Sequence, residues 1–152
     1  MRLSDQLALI NEFRRIAPVN VDLLARALGL KIERQDLDDD LSGALERVND
    51  DEFRILVNAK HSQTRQRFTI AHELGHFILH RHLIEDGIDD NRAYRSTQGG
   101  LYYNKKIGFD EETEANRFAA NLLMPHDLVE HYREQLGTCL LYTSDAADER
   151  SW

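Results

Sequence analysis

One cysteine, Cys139, is all the thiol this 152-residue chain carries, so there is no disulfide framework and no thiolate metal cluster. Proline is nearly as scarce: Pro18 and Pro125 are the two, and each stands where a helical pattern stops. No apolar run approaches the ~20 residues of a membrane span. The opening residues Met1 to Gln6 lack the apolar core of a signal peptide. Positive charge is also short: 19 Lys and Arg stand against 27 Asp and Glu, a formal net charge of −8. That balance opposes tight sequence-independent binding to a phosphate backbone, which needs a basic face. It suits a basic protein partner, such as a DNA-binding protein. The expectation is a cytoplasmic protein without membrane or direct nucleic-acid contact, of a length that suits one compact domain.

What is present centres on the stretch Phe68 to His80, which contains His72-Glu73-Leu74-Gly75-His76. Residues four apart on an α-helix lie about 40° apart in projection, one turn above each other. His72 and His76 can therefore aim imidazole nitrogens at one ion, and Glu73 can reach a water on its open side. Ile70, Leu74, Phe77 and Ile78 form an apolar stripe beside the histidines, as an amphipathic helix bordering a cleft requires. The plainer reading of such a pair is two core-edge histidines bonded to carbonyls, so a third ligand is needed.

Upstream, Leu3 to Ile16 reads as a helix with Leu3, Leu7, Ile10 and Phe13 on its packed side. Asn20 caps a second helix from Val21 to Leu28, which Gly29 closes. Leu30 to Arg34 alternates as a strand, and Asp36 to Asp40 is a solvated acidic connector. Residues 42–48 and 53–58 are two strands of a hairpin, the second leading almost directly into the metal helix. Either its edge lies beside the ion, where an extended substrate can add as a further strand, or the hairpin simply covers the helix. Ser62 or Thr64 caps the metal helix. Residues 81–108 are polar and rich in glycine, and read as a lid or insertion carrying Tyr94, Tyr102 and Tyr103. Helices follow over Asp110–Leu123 and His126–Leu136. The fold class is α+β, a small antiparallel sheet packed against a helical bundle.

A catalytic zinc takes three protein ligands and keeps one position open. Glu111, Glu112 and Glu114 stand ahead of Ala115-Asn116-Arg117-Phe118-Ala119. With ~100° per residue, Glu112 and Glu111 fall at opposite rims of the packed face, and Glu114 on its flank. Small Ala115 and Ala119 let this helix approach the metal helix closely. Asn116, one turn beyond Glu112, is placed to orient a ligand imidazole. Glu112 is the preferred third ligand; Glu111 and Glu114 remain open, since acidic residues also favour any helix N-terminus. His80 continues the histidine stripe, but a fourth protein ligand would close the site, so it reads as a neighbour of the ligands or a packed residue. His61, His82, His126 and His131 have no partner spacing.

The run Arg65-x-Arg67-Phe68-Thr69-Ile70-Ala71-His72-Glu73-Leu74-Gly75-His76, followed by Glu112-x-x-Ala115-Asn116-x-Phe118-Ala119-x-x-Leu122-Leu123-Met124-Pro125, resembles the ImmA/IrrE family of bacterial metallo-endopeptidases. Pro18-Val19-x-Val21 to Gly29 and Val57-Asn58 extend the resemblance over about residues 19–125. It implies a thermolysin-like zinc peptidase fold, His72, His76 and Glu112 on the metal, and Glu73 as general base. It also implies a protein substrate, a helix-turn-helix transcriptional repressor. The 81–108 segment looks longer than the usual family spacer, which bears on lid shape and substrate choice.

Zinc is the expected ion, although manganese or iron suits the same ligands. Two rival readings are a non-catalytic zinc-containing module that binds a repressor, and a DNA-binding protein built on the helices before Gly29. Retention of Glu73 opposes the first, and the acidic balance opposes the second. From Cys139 onward, Cys-Leu-Leu-Tyr-Thr-Ser-Asp-Ala-Ala-Asp-Glu resembles the in-frame translation of a sequencing adapter. The peptidase domain is therefore expected over 1–138, with 139–152 a non-native tail that adds nothing to the site.

Overall fold

The computed structural model describes residues 1–84, 87–90 and 107–124. Among these, the elements run α1 (Leu3–Phe13), α2 (Val21–Ala27), β1 (Lys31–Gln35), β2 (Gly43–Asn49), β3 (Glu52–Asn58), α3 (Gln63–Leu79), a 3-10 turn (Arg81–Leu83), β4 (Gly87–Asp90) and α4 (Phe109–Leu123). The expected helix over 126–136, the three tyrosines and the 139–152 tail lie outside the described residues.

Local chemistry accounts for the helix ends. Asn20 Oδ1 accepts from Leu23 N at 3.0 Å to start α2, and Ser62 Oγ accepts from Arg65 N at 3.2 Å to start α3. Gly29 leaves α2 with φ +91°, a left-handed conformation that glycine adopts without a Cβ penalty. On α1 the buried face differs from the expectation. Ile10 and Gln6 point inward, whereas Leu3 and Leu7 stay exposed at 51% and 43%. Gln6 satisfies its amide there, Oε1 accepting from Arg81 Nη2 at 3.3 Å.

The strands form one sheet in the order β1-β3-β2-β4. The α+β class is as expected, but the sheet is mixed: β1 runs parallel to β3, while β2 is antiparallel to both β3 and β4. The residue rows explain the pairing. Ile32 stands opposite Ile55, and Ile55 opposite Leu45, so one apolar row crosses three strands. On the other face Arg54 bridges Glu33 of β1 and Glu46 of β2.

This topology corrects the idea that β3 offers an edge for substrate. β3 is interior, with β1 on one side and β2 on the other. Part of the 81–108 stretch expected to be a lid is itself sheet, since β4 pairs with β2 from Ala44↔Asp90 to Arg47↔Gly87. Helix α3 lies on the sheet and is buried over nearly its whole length. Ile70, Ala71 and Leu74 join Leu45, Ile55 and Val57 in the core. Gly43 permits that seating, because a Cβ there would collide with the Leu56 carbonyl and the Thr69 side chain.

Candidate metal centre

Helix α3 is pinned between the sheet and α4, and the two helices nearly touch at Gly75. A Cβ on Gly75 would stand 3.1 Å from Ala115 Cα and 3.2 Å from Ala115 O. Ala115 and Ala119 are buried on the facing side of α4. Small residues on both helices thus bring Glu112, three residues before Ala115, against the histidines of α3.

The convergence is close. His76 Nε2 lies 3.0 Å from Glu112 Oε1 and 3.1 Å from His72 Nε2, and His72 Nε2 lies 3.1 Å from Glu112 Oε2. All three side chains are at most 2% exposed. Among the described residues they form the one group of His, Cys, Asp or Glu side chains able to hold an ion, each offering one atom within 4.8 Å of the others. Glu111 is partly exposed and Glu114 exposed, and neither belongs to the group.

The donor set fits a tetrahedral ion. Bonds of ~2.0–2.1 Å place neighbouring ligand atoms about 3.3 Å apart, close to the distances here. The hydrogen bonding points the same way. Asn116 Oδ1 lies 2.8 Å from His72 Nδ1 and, as a carbonyl oxygen, can only accept. His72 therefore carries its proton on Nδ1, and its Nε2 turns a lone pair into the cluster. Glu112 Oε2 faces that nitrogen without any aligned hydrogen bond, although it is buried. Lone pairs gathered this closely repel unless a cation sits among them.

The charge states suit metal binding. Burial pushes the His76 imidazole down to about 4, against the attraction of Glu112, so it is neutral at pH 7. Burial would raise the Glu112 carboxyl, but the imidazoles of His72 and His76 beside it outweigh that and hold the group down at about 2. Glu73 is fully buried on α3, one residue from His72. His80 lies off the cluster, its Nδ1 3.0 Å from His76 Nδ1. The specific pairing of His80 with His76, and the contact at Gly75, escaped the sequence reading. Four-residue spacing hinted at the first, and a glycine inside a helix at the second.

A His-Glu-x-x-His helix and a glutamate from a second helix, gathered over a mixed sheet into a buried cluster able to hold an ion, define the metallopeptidase class. Residues 25–142 match the family model Peptidase M78, the IrrE N-terminal-like domain. The chain belongs to that family. It is also 36% identical over 83 residues to the radiation response metalloprotease IrrE of Deinococcus radiodurans, a stretch covering 55% of this chain and 23% of that protein. The chain thus spans about a quarter of the length of this curated relative. No helix of the described residues is long and apolar enough to cross a membrane.

Proposed function

We propose that this protein is a zinc-dependent endopeptidase that hydrolyses a peptide bond in a protein substrate, a helix-turn-helix transcriptional repressor, in the cytoplasm. The observation that carries this reading is the buried convergence of His72, His76 and Glu112 beside Glu73. Two imidazoles and one carboxylate are the ligand set of hydrolytic zinc sites; Mn²⁺ and Fe²⁺ are the competitors for it. When bound, the metal supplies Lewis acidity that acidifies a water and polarises the scissile carbonyl.

The protein's own groups divide the remaining work. His72, held by Asn116, and the neutral His76 turn Nε2 lone pairs into the cluster, and Glu112 contributes the negative charge. Glu73 accepts the proton of the attacking water and delivers it to the leaving amine nitrogen, which becomes a neutral amine as the C–N bond breaks. A repressor as substrate is supported by the family resemblance and by a net charge of −8, which favours encounter with a basic protein.

The test uses purified protein loaded with Zn²⁺ and the repressor encoded beside its gene. Glu73→Gln should bind zinc one-to-one, as the parent does, while cleavage falls by about 10²–10⁴. Undiminished cleavage by that variant would overturn the assignment of Glu73. Stable complex formation without cleavage by the parent would favour a non-catalytic binding module.

A further inference from the structure

We propose that His80 is a positioning residue, which fixes the tautomer and ring orientation of His76 as a metal ligand and is itself backed by Glu114. This inference rests on the reading of His72, His76 and Glu112 as ligands.

The two histidine ligands are anchored differently. His72 is held from α4, through Asn116. His76 is held from its own helix: His80, at the C-terminal end of α3, lies one turn on, its ring centroid 5.2 Å away. The Nδ1 atoms of the two rings are 3.0 Å apart, and His80 is only 4% exposed. A hydrogen bond at that distance needs one proton, and the cluster decides which ring carries it. His76 Nε2 faces Glu112 and His72 and must keep its lone pair to bind an ion. The His76 proton then sits on Nδ1 and is donated to His80 Nδ1.

The consequence runs one atom further. His80, accepting at Nδ1, carries its own proton on Nε2. That nitrogen is buried without a hydrogen-bond partner, and Glu114 Oε1 stands 3.6 Å from it. The order is therefore ligand imidazole, second imidazole, carboxylate. Because His80 meets the Nδ1 side of His76, away from the Nε2 cluster, it stands outside the three side chains that would hold an ion.

The test measures zinc affinity of the metal-free full chain by competition with a chromogenic chelator, for the parent, His80→Phe and His80→Asn. Phe fills the site but accepts no proton, and should weaken zinc binding by about 10–100-fold. The Asn amide oxygen takes the place of the imidazole Nδ1 and should restore most of that loss. A purely structural role would weaken both variants alike, together with their unfolding midpoints in the metal-free state. Should His80→Phe not fold, His80→Gln replaces it: its longer amide misses the Nδ1 position, so its affinity should fall well below that of the Asn variant. Parent-like affinity in His80→Phe, or equal affinity in the Asn variant and its comparator, would overturn the proposal. Failure of the parent itself to bind zinc would overturn the ligand reading above, and this inference with it.

Discussion

Asn58 is fully buried, and its amide ties together the chain on both sides of it. Nδ2 donates to the carbonyls of Asp38 and Leu41, and Oδ1 accepts from Lys60 N. Those bonds fasten the acidic connector between β1 and β2, with Leu37 and Leu41 turned into the protein. Asn58→Ala strips partners from several backbone groups at once. It should cost on the order of 3 kcal/mol, read as a shift in the denaturant midpoint at unchanged slope. The sequence placed Asn58 at the end of a strand and within a family resemblance, yet its task was invisible there. The carbonyls it donates to lie 20 and 17 residues upstream and share no pattern with it. Glu112 was only partly readable: angles round one helix put it and Glu111 at the rims of the packed face and Glu114 on its flank, which narrowed the choice without deciding it.

At the scale of elements, the centre depends on how closely α3 and α4 approach. Gly75 is the contact, and Gly75→Ala sets two effects against each other. Alanine in a helix interior gains roughly 0.5–1 kcal/mol over glycine. The added Cβ, 3.1 Å from Ala115 Cα and 3.2 Å from Phe118 Cβ, must push α4 back by a few tenths of an ångström. The neighbour is backbone and yields little. We expect a small change in thermal stability but about a tenfold loss of zinc affinity, since α4 carries Glu112 away from both imidazoles. Chelator competition and a melting curve on the same sample separate the two.

Elements also show where local pattern misleads. The stripe Leu3, Leu7, Ile10 on α1 is a good helical face, yet the protein buries Gln6 in place of the two leucines. Arg81, just beyond α3, lies on that side and offers the amide a partner. Likewise, β2 and β3 announce a hairpin, but nothing in either strand says that β1 takes the far side of β3 in parallel. Strand order is decided by which apolar rows complete one another.

For the whole molecule, burial of the centre predicts how stability responds to pH. His76 titrates near 4 when folded, against 6.5 when unfolded. Between those values the unfolded chain binds a proton that the folded chain does not. Stability of the metal-free protein should therefore be full above pH 6.5 and fall as pH drops toward 4. Glu112, lowered from 4.5 to about 2, continues the loss below that range. Denaturant midpoints of the metal-free protein from pH 7 to pH 4 check this, and a flat profile would contradict a buried neutral imidazole.

By itself the sequence determined that a helix would carry His72, Glu73 and His76 on adjoining faces, and that a second helix would offer Glu112 with small residues behind it. Those are consequences of a 3.6-residue period, which acts within one segment. Tertiary structure alone decided that β3 is interior, that Gly75 meets Ala115, and that His80 turns its Nδ1 to His76. Each of these depends on side chains from separate parts of the chain, or on a rotamer set by them, competing for one buried space.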